Sequence, residues 1–179
     1  LFDTQVKHTL ASSEYNVRRA QCEAGVAVVL RHVGGVESLR DVTADMLDTY
    51  KGEMDEVVYR RCRYVVDENQ RLLDACAALE KGDYVTFGQK MNGSHEGLSR
   101  QYEVSCDELD FLADIGHRTD GVLGARMMGG GFGGCTINLV RAEAYDGYLA
   151  EATDRFAHRF GHAPRVIEVN ISQGARRIG

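Results

Sequence analysis

A single stretch of glycines limits what this chain can fold into more than any other feature. Six of the eleven residues from Gly124 to Gly134 are glycine, and strand-like segments flank the stretch at 121–128 and 135–140. A two-residue hairpin turn needs far fewer glycines. Glycine adopts positive φ without strain and lets successive backbone N–H groups face an anion. The stretch therefore predicts either an anion-binding loop or a wide, bulged hairpin packed under another element.

The common phosphate-loop sequence patterns do not fit this stretch. No Gly-Lys-Ser or Gly-Lys-Thr follows the glycines, and the segment after them is strand-like, whereas a GxGxxG loop opens a helix. Any role in binding an anion must therefore belong to a different loop class.

Composition and charge exclude several classes of function. The chain has 179 residues with 21 Lys and Arg against 27 Asp and Glu, and this net charge of -6 predicts no nucleic-acid partner. No apolar stretch approaches the ~18 residues of a spanning helix, so we expect no membrane partner, no signal peptide and a cytoplasmic location. The five cysteines are odd in number and never spaced as CxxC, which argues against a disulfide framework or a thiolate zinc site.

Hydrophobic periodicity predicts alternating helices and strands along the chain. The predicted elements are a strand at 6–10, helices at about 13–32 and 54–81, helices starting at Asp83 and Ser105, strands at 121–128 and 135–140, a helix at about 142–160, and a strand at 166–171. A loop, not a crossover helix, joins the two central strands, which favours antiparallel pairing. The predicted fold class is α+β, a small antiparallel sheet with helices packed on one face, forming one domain over 1–179.

Local signals place the helix ends and their buried faces. Ser12 or Ser13 is expected to cap the first long helix, and Lys81-Gly82 to end the second before a cap at Asp83. Ser105 and Glu108 have the spacing of a capping box. The predicted buried stripes are Val58, Cys62, Val65, Leu72, Cys76 and Leu79 in the helix at 54–81, and Tyr145, Leu149, Ala152, Phe156 and Phe160 in the helix at 142–160.

The predicted strand-to-helix turn near residue 12 carries the other candidate binding residues. Tyr15 offers an aromatic face and a hydroxyl, a combination suited to a sugar. Lys7, Arg18 and Arg19 have the charge to meet a phosphate or carboxylate. The alternative is a capped helix with a solvated basic face.

Other polar groups receive no catalytic or metal role. His158 and His162 lie one helical turn apart, but no third ligand is evident nearby, so we interpret them as a solvated helix face. His117 and His95 are placed near helix ends without a catalytic role, and the triplet 94–96, Ser-His-Glu, lacks a nucleophile-elbow pattern.

Three separated blocks of the sequence resemble galactokinases, which belong to the GHMP small-molecule kinases. The blocks are HTLASSEY at 8–15 with RRAQCE at 18–23, YEVSCDELD at 102–110, and GARMMGGGFGGCT at 124–136. The third block is similar to the third shared motif of GHMP kinases. The resemblance covers nearly the whole chain, and it is specific because three separated blocks occur in family order. It corresponds only to the C-terminal half of a galactokinase.

The resemblance implies a fold and a set of site residues. The implied fold is the ferredoxin-like C-terminal domain of GHMP kinases. Tyr15 would contact galactose, and Gly129, Gly130, Gly131, Gly133 and Gly134 would lie beside the nucleotide phosphate loop at an interdomain cleft. ATP and Mg²⁺ would be held mainly by the N-terminal ATP-binding domain, which is absent from this chain together with the catalytic Arg and Asp. We therefore expect no catalytic residue and no metal ligand among these 179 residues.

The implied activity is transfer of the γ-phosphoryl group of ATP to the C1 hydroxyl of α-D-galactose. Phosphoryl transfer depends on positioning and charge stabilisation, so we expect the isolated chain to be inactive. It would also expose a surface made for its N-terminal domain. One alternative is a non-catalytic galactose-sensing or interaction protein on the same scaffold, and another is a GHMP kinase for a different sugar.

Overall fold

The computed structural model describes residues 1–6, 11–170, 174 and 177. The elements are β1 (Phe2–Asp3), α1 (Ala11–Leu30), α2 (Ala44–Tyr50), α3 (Glu56–Glu80), α4 (Tyr84–Arg100), α5 (Asp107–Arg118), β2 (Val122–Met127), β3 (Cys135–Val140), α6 (Tyr145–Phe160) and β4 (Arg165–Val166), with short 3-10 turns at Lys51–Glu53 and Ala142–Ala144. No helix within these ranges is long and apolar enough to cross a membrane.

The four strands form one sheet in the order β2-β3-β1-β4, and every neighbouring pair is antiparallel. Phe2 pairs with Thr136 on one side and with Val166 on the other, so the first residues of the chain lie in the middle of the sheet. The α+β class and the antiparallel pairing of the two central strands are confirmed.

Helices α5 and α6 pack against the sheet around one core. Its buried members are Phe2, Leu112, Ile115, Tyr148, Ala152 and Phe156. Tyr148 keeps its hydroxyl satisfied inside this core by donating a hydrogen bond to Asn138 Oδ1 at 2.9 Å. The buried stripe predicted for α6 is confirmed at Ala152 and Phe156, whereas Tyr145 is exposed. Tyr145 begins α6 after a 3-10 turn, and Tyr148, one turn later, takes the buried place.

Helix α4 lies along the free edge of β2. Asn92 Oδ1 accepts a hydrogen bond from the N–H of Ala125 at 2.8 Å, so a side chain replaces the missing neighbouring strand. Gly88 and Gly124 allow the two backbones to touch, because a Cβ on Gly124 would lie 2.5 Å from the Gly88 carbonyl oxygen. The edge of the sheet is therefore covered by a helix.

A second core joins α1, α2 and the first half of α3. Its buried members are Val29, Val36, Leu39, Val42, Leu47 and Cys62. Helix α2 is an element that the sequence analysis missed. Thr43 caps it by accepting a hydrogen bond from the N–H of Met46 at 3.2 Å.

The predicted buried stripe of α3 holds for only half of its length. Cys62 is fully buried, but Leu72 is 62 % exposed, Leu79 is 43 % exposed and Cys76 is exposed. Helix α4 packs instead against another part of the α3 surface, where Glu68 accepts a hydrogen bond from Ser94 at 2.5 Å and Asp74 pairs with Lys90 at 2.7 Å. Leu72 and Leu79 are left on the outside.

The helix ends confirm some of the predicted signals and contradict others. Gly82 has φ 70 after Lys81, and Asp83 caps α4 by accepting from the N–H of Thr86 at 3.0 Å, as predicted. The capping box is wrong, because Cys106 is the cap residue of α5 and the Ser105 hydroxyl donates to Asp110 at 2.5 Å. The serine cap of the first helix is also wrong, since α1 begins at Ala11 and positions 12 and 13 lie inside it.

The two terminal strands differ from their predictions. The predicted strand at 6–10 is not found at its first residue, and its remaining positions, 7–10, lie outside the described residues. The first strand is β1, which is placed earlier because its backbone pairs with both β3 and β4. Of the predicted strand at 166–171 only Val166 belongs to β4, residues 167–170 are not in a strand, and position 171 is outside the described residues.

Candidate functional site

The loop at 128–134, called the glycine loop below, joins β2 to β3 in a backbone conformation that few side chains tolerate. Positive φ angles occur at Gly129 (86), Gly131 (86), Phe132 (61), Gly133 (134) and Gly134 (87). A residue with a Cβ is destabilised by ~1–2 kcal/mol in the left-handed region, so glycine avoids this strain at four of the five positions and Phe132 bears it at the fifth.

One part of the glycine loop is packed and the other part is open. A Cβ on Gly131 would lie 2.9 Å from the carbonyl carbon of Val104, and a Cβ on Gly133 would lie 3.0 Å from Val6. Around Gly129 and Gly130, by contrast, an added Cβ would meet nothing within 4 Å. The second half of the loop is thus a packed connection, as one alternative predicted. Its first half presents bare backbone, and the binding of an anion there stays a prediction.

Hydrogen bonds hold the packed half of the glycine loop and both of its ends. The N–H of Phe132 donates to the Val104 carbonyl at 2.7 Å. Thr4 donates twice to the Gly134 carbonyl, from its backbone N–H and from its hydroxyl, each at 2.9 Å. The N–H of Met128 donates to the Cys135 carbonyl at 3.0 Å and so continues the ladder between β2 and β3.

Arg18 connects helix α1 to the glycine loop. Its side chain is buried, with Nε donating to the Tyr102 carbonyl and Nη2 donating to the Glu103 carbonyl, both at 2.7 Å. Nη1 pairs with Glu14 at 2.8 Å, and the guanidinium carbon lies 5.8 Å from the centre of the Phe132 ring. The three sequence blocks therefore meet around this one side chain.

This arrangement corrects the prediction that Arg18 is available to an anion. Its guanidinium donors are used on two carbonyls and one carboxylate inside the protein, so it is neither a ligand-binding group nor part of a solvated basic face. Arg19 is exposed and pairs with Glu23 at 2.8 Å. Lys7 lies outside the described residues.

Tyr15 lies on α1 one turn before Arg18, and 62 % of its surface is exposed. Residues three apart share a helix face, so Tyr15 stands on the side of α1 that Arg18 ties to the glycine loop. It also lines a groove of about 610 Å³ between α1, the 37–40 turn and α3. The structure thus places Tyr15 and the glycine loop on connected elements, while their roles in binding stay predictions.

Cys22 lines the same groove and has an unusual thiol. The neighbouring Cys62 thiol lowers the pKa of Cys22 below its ordinary value and outweighs the effect of burial. The Tyr102 hydroxyl, 3.6 Å from Cys22 Sγ, adds to this lowering. The same thiol pair, together with burial, raises the pKa of Cys62. The sequence analysis did not single out Cys22, because its thiol partner is 40 residues away in the chain.

A second, polar groove of about 870 Å³ runs between α4, α5 and the end of α6. His95, Asp110 and His117 lie along it. The triplet at 94–96 forms no catalytic triad, because Ser94 donates to Glu68 at 2.5 Å and His95 contacts Met127 and Asp110 instead. Among the residues that the structure describes, no group of three or more His, Cys, Asp or Glu side chains is arranged to hold a metal ion.

Comparison with known proteins finds the same family that the three sequence blocks resemble. Residues 75–154 match the family model for the GHMP kinases C-terminal domain. The chain is therefore similar to the C-terminal part of GHMP kinases, and its relatives are galactokinases. It is 37 % identical to the galactokinase of Roseiflexus sp. (strain RS-1) over 98 % of its length, and 40 % identical to that of Thermotoga petrophila over 99 %. These alignments cover 45 % and 48 % of the two relatives, so the chain spans somewhat under half of each.

The fold comparison leads to the same family. The structure superposes on Lactococcus lactis galactokinase, solved in complex with galactose, with a TM-score of 0.86 and 32 % sequence identity. The match covers 92 % of this chain and 42 % of that protein. The resemblance of this chain to the C-terminal half of galactokinases is therefore confirmed in sequence and in fold.

Proposed function

We propose that this chain acts as the C-terminal half of an enzyme that phosphorylates D-galactose with ATP. In the reaction the C1 hydroxyl of galactose attacks the γ-phosphorus, the bond to the β-phosphate oxygen breaks, and galactose 1-phosphate, ADP and a proton result. The observation that carries the proposal is the meeting of the three galactokinase-like blocks at Arg18, in a fold that superposes on a galactose-bound galactokinase.

In this proposal the residues of the chain bind and position substrate and supply no acid, base or metal ligand. Tyr15 presents its ring and hydroxyl to the sugar. Gly129 and Gly130 present backbone with no side chain in the way, beside the phosphates of the nucleotide. An N-terminal domain outside these residues provides the phosphate loop, the catalytic Arg and Asp, and most contacts to ATP and Mg²⁺, which neutralises charge on the transferred group when bound.

The test compares two proteins, the 179-residue chain and the longer protein that contains it together with an N-terminal half. Each is incubated with ATP, Mg²⁺ and galactose, and galactose 1-phosphate is followed by ³¹P NMR. We expect product from the longer protein and none from the isolated chain at an ordinary enzymatic rate. Product from the isolated chain would contradict the division of labour between the halves.

Sugar competition separates the alternatives. Galactose, glucose, N-acetylgalactosamine and arabinose are compared as substrates of the longer protein, and galactose is expected to have the highest kcat/KM. A higher kcat/KM for another sugar would assign the protein to a different GHMP kinase activity. Galactose binding without any phosphoryl transfer would support the sensing role and overturn the enzymatic one.

A further inference from the structure

The last residue of β2 is held by a buried histidine. Met127 directly precedes the glycine loop, and its backbone N–H donates to Nδ1 of His95 at 3.1 Å. His95 is 5 % exposed and lies on α4, which covers this edge of the sheet. One imidazole nitrogen therefore holds the outer edge of the strand at the point from which the glycine loop starts, while the ladder with β3 holds its inner edge.

The other nitrogen of His95 faces a carboxylate. Nε2 lies 3.2 Å from Asp110 Oδ1, and the same carboxylate accepts hydrogen bonds from Ser105 at 2.5 Å and from Ser99 at 2.8 Å. Burial alone would raise the pKa of Asp110, but the hydrogen bonds from His95, Ser105 and Ser99 outweigh it and lower the pKa. Asp110 is thus an anion that can only accept.

These contacts determine which imidazole nitrogen carries the proton. An anionic Asp110 requires the proton on Nε2 of His95, which leaves a lone pair on Nδ1. That lone pair accepts the hydrogen bond from the Met127 N–H. The Asp110 carboxylate therefore acts on the start of the glycine loop through His95, without touching the loop.

The same carboxylate also reaches the far side of the glycine loop. Ser105, which donates to Asp110, directly follows Val104, and the Val104 carbonyl receives the N–H of Phe132. His95, Asp110 and Ser105 thus form one hydrogen-bonded chain between two of the places where the loop is anchored. Attachment of α4 to the sheet does not depend on it, since Asn92 and the Gly88–Gly124 contact already provide this.

We propose that His95 and Asp110 are positioning residues for the glycine loop. Asp110 fixes the tautomer of His95, His95 holds the Met127 N–H, and Ser105 links the carboxylate to the segment that holds Phe132. The role in catalysis rests on the proposed function above, because it assumes that the open half of the loop borders the phosphoryl-transfer site.

The first test needs no substrate. ¹⁵N NMR of the 179-residue chain with labelled histidine should show His95 as the neutral tautomer with its proton on Nε2 at neutral pH. A proton on Nδ1 is incompatible with acceptance from Met127 and would overturn the proposal.

The second test is amide hydrogen exchange in matched variants. His95→Leu should speed exchange at Met127 and through 128–132 by about tenfold, the effect of one lost buried hydrogen bond. His95→Asn, whose side-chain oxygen can take the place of Nδ1, should restore most of the protection. Asn92→Leu removes the equivalent hydrogen bond from α4 to Ala125, two residues before Met127. It should therefore speed exchange at the Ala125 amide and leave exchange in the loop unchanged. Amides in the core of α6 report global unfolding, and equal acceleration of these amides in His95→Leu would reduce His95 to a structural role.

The third test concerns function in the longer protein. His95→Leu should lower kcat several-fold with the KM for galactose unchanged, His95→Asn should recover kcat, and Asn92→Leu should retain it. An exposed loop with unchanged kcat would refute the positioning role while the proposed function stands. A wild-type protein without kinase activity would refute the proposed function, and the exchange results would still decide whether His95 holds the loop.

Discussion

The glycine loop offers a graded test, because three neighbouring glycines meet different demands. Gly130 lies outside the left-handed region, and a Cβ added there would have no neighbour within 4 Å. Gly129 has φ 86 but open space around it. Gly131 has φ 86 and a backbone carbonyl, that of Val104, where its Cβ would lie. Alanine at position 130 therefore adds neither backbone strain nor a clash. At position 129 it adds backbone strain, and at position 131 it adds both strain and a clash.

The magnitudes follow from these geometries. Gly130→Ala should be neutral or up to about 1 kcal/mol stabilising, because alanine restricts the unfolded chain. Gly129→Ala should lower the free energy of unfolding by about 1–2 kcal/mol, because alanine is strained in the left-handed region. Gly131→Ala should lower the free energy of unfolding by about 2–5 kcal/mol, since overpacking costs roughly 1–3 kcal/mol in addition to the same strain.

Urea unfolding of the 179-residue chain measures the series. With an m-value of about 2 kcal/mol/M, the midpoint should fall by roughly 0.5–1 M for Gly129→Ala and by roughly 1–2.5 M for Gly131→Ala. If Gly131→Ala were no worse than Gly129→Ala, the packing of the loop on Val104 would be wrong. If Gly130→Ala matched Gly129→Ala, the assignment of backbone conformations within the loop would be wrong.

Four further predictions concern single side chains. Arg18→Met removes a buried guanidinium that donates to two half-buried carbonyls, and it should lower the free energy of unfolding by about 2 kcal/mol. Arg19→Met, at an exposed ion pair, should change it by less than about 0.5 kcal/mol in the same urea assay. Tyr15→Phe in the longer protein should lower kcat/KM for galactose by roughly 2- to 13-fold, the worth of one hydrogen bond, and an unchanged value would remove Tyr15 from the site. Because the folded pKa of Asp110 is lowered, its stabilising effect is complete above the unfolded pKa of about 3.9 and is lost as pH falls through the folded pKa, so Asp110→Asn should flatten the loss of stability measured below pH ~4. Because the pKa of Cys22 is lowered, iodoacetamide should label Cys22 at a lower pH than an ordinary thiol, and Cys22→Ser should abolish this early labelling.

Local sequence signals predicted the elements whose boundaries depend on nearby residues. Gly82 and Asp83 define the turn between α3 and α4 because both act within a few residues of their own position. The strands on either side of the glycine loop were predicted for the same reason. The capping box failed because Ser105 had a competing partner, the Asp110 carboxylate, at a spacing that the pattern does not consider.

Long-range contacts explain what the sequence could not predict. The carbonyl partners of Arg18 are 84 and 85 residues away, so its basic charge alone suggested a ligand-binding role that the fold excludes. The role of His95 depends on a strand 32 residues later. For α2 a local signal did exist, since Thr43 precedes the apolar residues Met46 and Leu47, but a helix of seven residues gives too short a pattern to be recognised by periodicity.

Helix α4 on the edge of β2 also affects how the protein behaves at high concentration. A bare edge strand offers its unpaired backbone groups to other molecules, and strand addition of this kind seeds aggregation. In the described sheet that edge is occupied by α4, and the opposite edge, β4, is only two residues long. Intermolecular strand pairing therefore requires α4 to detach first. A bulky side chain at Gly88 or Gly124, where the two backbones touch, would weaken this attachment, and its first visible effect would be self-association of chains whose secondary structure is still intact.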